Sequence, residues 1–200
     1  ECNAKMVNLK HEFKDMKIEY SYEGTIIRIF YHKKWYISTH RKLDSGRSKW
    51  GSNNSFKSLF EEGLKESYNL SLKDLFTKLN LRCQYTFMIM ADKNTRFVCI
   101  PNHPKKVYFI GSNDPEKDNI KIDALPKPSE KFETLQNVFE FVEKMKYPFT
   151  YQGLLLVHNQ GSQYRIISDE YATYFKVRNN EQSIPYRYLQ LKHQNDQVSI

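Results

Sequence analysis

The hydrophobic pattern changes period several times along the chain, and that restricts it to folds mixing strands with helices. Thr25–Tyr31 (TIIRIFY) and Trp35–Thr39 (WYIST) are β-rich runs separated by His32-Lys33-Lys34, which reads as a hairpin. After the polar stretch Arg41–Ser55, Phe56, Leu59, Phe60 and Leu64 recur at helical spacing. So do Leu72, Leu75, Phe76 and Leu79 behind a capping serine, Ser71. Gln84–Met90 and Arg96–Ile100 form a second strand pair turning at Asp92-Lys93-Asn94, and Lys106–Ile110 is a further strand. Thr134 caps a third helical pattern carrying Leu135, Val138, Phe139, Val142 and Met145, halted before Pro148. Gly153–Val157 and Gln163–Ile167 make a hairpin across Asn159-Gln160-Gly161, followed by β-rich Tyr171–Val177 and Tyr186–Leu191. Strand pairs broken by about three helices predict an α+β fold with mostly antiparallel sheets.

The 200 residues are expected to form a single domain. Asn113–Glu130, with Pro115, Pro126 and Pro128 among charges, is expected to be a mobile surface loop and is the one candidate boundary. A set of 14 Tyr and 13 Phe against 7 Gly suits half-buried sheet surface. The residues Glu1–Lys10 have no signal-peptide pattern, and no apolar run approaches the ~20 residues of a membrane helix. An intracellular protein, cytoplasmic and not secreted, is therefore expected, with no membrane partner. The chain opens on Glu1 rather than Met, as a piece of a longer protein would. Cys2, Cys83 and Cys99 are odd in number and unpaired in spacing, which argues for a reducing compartment. Cys99 and His103 stand four apart with no second pair, so no metal site is expected. A net charge of +8 favours polyanionic partners, because a basic surface releases the counterions of a phosphate backbone.

Five segments resemble, in order and rough spacing, the motifs of the covalent nucleotidyltransferases. This superfamily comprises RNA ligases, DNA ligases and mRNA capping enzymes. The chain is most similar to bacteriophage-type RNA ligases and to RNA-ligase-like proteins of large DNA viruses, a resemblance that implies a viral factory or virion as the alternative location. Ser21-Tyr22-Glu23-Gly24 resembles the first motif, Lys-x-Asp/Glu-Gly. Ser38-Thr39-His40-Arg41, then Gly51-Ser52, resembles the Ser-Thr-Arg-Gly segment. Thr86-Phe87-Met88-Ile89, with Asn94 and Arg96, resembles the third. Gln152-Gly153-Leu154-Leu155 resembles the fourth, and Arg165-Ile166-Ile167-Ser168 with Tyr171 the fifth. The resemblance spans roughly residues 18 to 175. It implies a nucleotide-binding set of Glu23, Gly24, Phe87, Gln152 and Arg165, with Phe87 stacking on the base, although a Phe on a strand is more often part of a core.

The departures bear on chemistry. Nucleotidyl transfer of this type needs a deprotonatable amine, acidic groups to hold a metal, and cations against the transferring phosphate. Ser21 stands at the lysine position, Met88 and Gln152 at the acidic positions, and Arg165 and Ile167 at the lysine pair. A degenerate site with no catalytic residue follows, and with it no cofactor. Lys42, in Lys42-Leu43-Asp44-Ser45-Gly46-Arg47, and Lys17 are the alternative nucleophiles; either would call for ATP or GTP with Mg2+.

The densest basic cluster follows the first strand pair. His40, Arg41, Lys42, Arg47 and Lys49 lie among Ser and Asn residues, and Trp50 offers a ring for an unpaired base. RNA or another nucleic acid is the expected partner of this cluster. The alternative is an acidic protein bound on the basic face, with the old cleft plugged by Met88.

Overall fold

A computed structural model describes residues 12–49, 53–90, 98–100, 102–115, 120–179, 181 and 183–198. The chain divides into two compact units, one of Glu1–Glu23 with Pro126–Ile200, the other of Gly24–Leu125. The division falls within the Asn113–Glu130 segment.

The discontinuous unit is built on three antiparallel strands: β1 (Met16–Ser21), β6 (Gly153–His158) and β7 (Gln163–Ile167), in the order β1-β6-β7. β6 and β7 are joined by the expected hairpin, where Gly161 supplies a positive φ of 95° and its amide donates to the His158 carbonyl at 2.9 Å. Helix α3 (Leu135–Glu143) begins where Thr134 and Asn137 form a reciprocal capping box. Its buried Leu135, Val138 and Val142 pack with Phe13, Leu154 and Leu156. Two further helices follow, α4 (Asp169–Arg178) and α5 (Ile184–Val198). The β-rich reading of Tyr171–Val177 and Tyr186–Leu191 is therefore corrected. Ser168 caps α4 at the Tyr171 amide, with Asp169 and Glu170 in the first turn and Lys176 and Arg178 in the last. That charge order suits the helix dipole and outweighs the strand propensity of the aromatics.

The continuous unit holds a four-stranded antiparallel sheet in the order β3-β2-β4-β5: β2 (Gly24–His32), β3 (Lys34–Ser38), β4 (Gln84–Met90) and β5 (Val107–Ser112). The β2–β3 turn is made by Lys33 at φ 59°. Helices α1 (Phe56–Tyr68) and α2 (Leu72–Thr77) start at the serine caps Ser55 and Ser71. Their Phe60, Leu64 and Leu75 join Ile27, Ile29, Tyr85, Phe87 and Val107 in one core. β4 pairs with β2 and β5, and the described Val98–Ile100 carry no strand, so the expected Arg96–Ile100 partner of β4 is corrected where it is described. The rest of that segment, with the Asp92-Lys93-Asn94 turn, lies outside the described residues. Ile120 and Ile122 sink into the core, and buried Asp114 accepts a hydrogen bond from Tyr85. The Asn113–Glu130 segment is thus anchored at these points. Among the described residues there are five α-helices, against the three expected; the additional pair is α4 and α5.

Candidate functional site

Three of the five family-like segments meet in the discontinuous unit. Ser21 ends β1 opposite Gly153, and Gly153 lies opposite Ile167 of β7. The Gln152 amide donates to the Ser21 carbonyl at 2.7 Å, and the Ser168 amide donates to the Gln152 carbonyl at 3.2 Å. A Cβ at position 153 would stand 2.0 Å from the Ile166 carbonyl oxygen, so only glycine permits this approach of strands.

The side chains converge on one oxygen. Ser21 Oγ donates to Gln152 Oε1 at 3.4 Å, and Arg165 Nη1 donates to the same Oε1 at 3.1 Å. Ser21 and Gln152 are both buried, 7% and 9% exposed. Glu23, 6% exposed, faces Arg178 of α4 across 3.5 Å. Arg178 is a residue that sequence reasoning missed. It lies 155 positions from Glu23, just past the segment Tyr171–Val177 read as a strand, and nothing local pairs it with Glu23.

An aromatic group flanks Ser21. Tyr20 stacks on Tyr151 with centroids 4.0 Å apart and donates to Glu130 Oε2 at 3.0 Å. Burial, and then that acceptor, push the Tyr20 hydroxyl well above the usual tyrosine range. Tyr22 packs edge-on to both rings and donates to the Pro126 carbonyl.

A neutral amide oxygen is a weak ligand for a divalent cation beside a carboxylate, and it does not take a proton from serine. The donor set of Ser21, Gln152 and Arg165 does not fit a metal-assisted nucleotidyl transfer. Arg165 remains a cation suited to phosphate.

The remaining candidates lie in the continuous unit. Met88 packs over Gly24, where a Cβ would come within 2.6 Å of Met88 Cγ. Phe87, a candidate for base stacking, is instead wholly buried between Phe60 and Phe109 in tilted ring contacts. His40, Arg41, Lys42, Arg47 and Lys49 are all exposed, in the loop that leaves β3. Thr39 and Lys42 close its first turn, and Asp44 caps a 3-10 turn at Ser45–Arg47. Lys42 Nζ donates to the Arg47 carbonyl at 2.8 Å. Trp50, Gly51, Ser52, Asn94 and Arg96 lie outside the described residues. Lys17 is exposed on β1. Cys99 is buried, and the His103 ring stands edge-on to Tyr108.

No family model matches the chain. The solved structure of Naegleria gruberi RNA ligase with PPi superposes with a TM-score of 0.51 at 10% identity, covering 84% of this chain and 55% of the ligase. A lysine-to-alanine mutant of the same ligase, with ATP and Mn, gives 0.52 at 10% identity, covering 84% and 56%. The fold is RNA-ligase-like. Among curated proteins, the chain is similar to immediate-early protein ICP-46 homologs of two invertebrate iridescent viruses. It is 62% identical over 200 residues to that of Invertebrate iridescent virus 3, covering all of this chain and 45% of the relative. It is 33% identical over 216 residues to that of Invertebrate iridescent virus 6, covering 97% and 47%. Immediate-early protein ICP-46 of Frog virus 3 is 24% identical over 205 residues, covering 89% and 50%. The chain spans about half the length of these viral relatives. Among the described residues, no helix is long and apolar enough to cross a membrane.

Proposed function

We propose that this chain is a non-catalytic RNA-ligase-like domain that binds RNA, with the exposed loop His40–Lys49 as its main contact. The observation carrying the non-catalytic part of this reading is the array in which Oε1 of buried Gln152 accepts from both buried Ser21 and exposed Arg165. An active relative needs an amine and carboxylates for the reaction, and here a hydroxyl and an amide hold one another. The RNA-ligase-like fold supports a role with RNA ends or nucleotides, and the exposed Arg41, Lys42, Arg47 and Lys49 of the loop support contact with phosphates. Neither alternative lysine is favoured by its setting. Lys42 Nζ donates to a carbonyl in an exposed loop, and Lys17 is exposed on β1. Nothing in either setting desolvates the amine, the usual way to make a lysine nucleophilic.

The test is binding of labelled RNA across a salt series. Affinity should fall as salt rises, and neutralising Arg41, Arg47 and Lys49 should weaken it. Absent or salt-insensitive binding overturns the reading.

One observation favours a second reading, a protein-interaction subunit. Ile184, Tyr186, Tyr188 and Leu189 of α5 are all more than half exposed, an apolar group unusual on an isolated surface. Co-purification with a protein partner after nuclease treatment would support it.

A further inference from the structure

The edge of the four-stranded sheet next to the basic loop is not flat. β3 is the edge strand, and a cleft of about 280 Å³ opens between it and α2. Its walls are largely apolar: Trp35 and Ile37 from β3, Leu72 and Phe76 from α2, and Leu43 from the loop. Trp35 and Phe76 stack in parallel, with centroids 5.0 Å apart and planes within 6°. Tyr31 packs edge-on against Trp35 at 5.4 Å, which fixes the indole in place.

Two features say what such a cleft suits. The first is continuity with the cations. Leu43 and Asp44, which line the cleft, belong to the same loop that carries His40, Arg41, Lys42, Arg47 and Lys49. Lys34 and Lys57 line the cleft as well. Asp44 is its one acid; it caps Gly46 at 2.9 Å and lies 3.6 Å from Arg47. The second is Leu43, which leaves 58% of its surface in solvent beside an aromatic wall. A volume near the lower limit of small-ligand pockets, about 300 Å³, fits one base rather than a folded partner.

We infer that this cleft receives an unpaired base of single-stranded RNA while the adjoining loop holds the flanking phosphates. The inference rests on the RNA-binding reading above and assigns to it a base-accepting subsite. Aromatic stacking is tolerant of base identity, and a cation rim follows the backbone on either side. A paired base cannot enter, because its faces and one edge are occupied in the duplex. The subsite therefore selects single strands over duplex without reading sequence.

The test uses the intact chain with its two tryptophans replaced by 5-fluorotryptophan. The Trp35 fluorine resonance is assigned by comparison with Trp50→Phe in the absence of RNA. A short single-stranded RNA, an abasic strand of equal length and a duplex are then titrated, with affinity read from fluorescence anisotropy of labelled strands. The expected result is a shift of the Trp35 resonance with single-stranded RNA only. Affinity for the abasic strand should be weaker by about fivefold or more, since stacking contributes ~1–3 kcal/mol per base. Leu43→Ala and Lys57→Ala, both at exposed positions, should each lower single-strand affinity while leaving the melting temperature unchanged. RNA binding that leaves the Trp35 resonance in place and treats abasic strands equally overturns the subsite but keeps the RNA-binding reading. Absence of any RNA binding overturns both. A Trp35 shift produced by an acidic peptide and not by RNA assigns the cleft to a protein and overturns the inference.

Discussion

The two units place their candidate site residues differently. In the discontinuous unit, Ser21, Glu23 and Gln152 are buried; Ser21 and the exposed Arg165 both donate to Gln152, and Glu23 faces Arg178. In the continuous unit the core is apolar around Phe60, Phe87 and Val107, and the cations of His40–Lys49 face solvent. Buried polar groups are costly unless they satisfy one another, so the first arrangement ties these residues to stability. Exposed cations contribute little to folding and are available for a partner. A residue's place in the ligase-like motif order does not tell which of these two roles it fills.

The largest effect is expected at the buried ion pair. Arg178→Ala removes the arginine beside the buried Glu23 carboxylate and should destabilise the protein by about 3 kcal/mol, read by urea denaturation. RNA affinity of the folded variant should stay unchanged; a matching loss of affinity would join Arg178 to the binding surface. Next comes Gln152→Leu, which takes the shared acceptor from Ser21 and Arg165. It should lower stability by about 2 kcal/mol in the same assay. A neutral or stabilising outcome would show that the array is not a structural network.

Much of this division was hidden in the sequence, although much of the fold was not. The hairpins at Lys33 and Gly161 and the caps at Ser55, Ser71 and Thr134 are local devices, and each is legible within a few residues. The helix α4 was misread because Tyr171, Tyr174, Phe175 and Val177 favour strands. The cap at Ser168 and the charge order from Asp169 to Arg178 were the better signals. At the candidate site, the meeting of Ser21, Gln152 and Arg165 followed from motif order alone, since no local pattern links residues 131 apart. Burial was the quantity out of reach. It separates Phe87, which fills the core, from Trp35, which lines a cleft, although both are aromatics on strands.

Smaller effects are expected from the exposed side of the comparison. Replacing Arg41, Arg47 and Lys49 together by Gln should move folding stability by no more than about 0.5 kcal/mol. The same change should cost about tenfold in RNA affinity at low salt and reduce the slope of log affinity against log salt by about 2, at ~0.7 per phosphate contact on a single strand. A large loss of stability would instead make the loop part of the fold.

The smallest effect is a pH dependence. Burial holds the His103 imidazole below its ordinary value, so the folded protein resists protonating it. Its contribution to stability is complete above the unfolded value, about 6.5, and is lost as pH falls through the lower folded value. Melting temperature measured from pH 7 down to pH 5 should therefore decline less in His103→Gln than in the native chain.

Covalent labelling tests the absence of nucleotidyl transfer most directly. The intact chain is incubated with radiolabelled ATP or GTP and Mg2+ or Mn2+, then denatured and separated by electrophoresis. We expect no acid-labile adduct with either nucleotide, and the same blank result for Lys42→Ala and Lys17→Ala. A label that stays with the denatured chain, is released by acid and disappears in one of those lysine variants would contradict the account and identify the nucleophile.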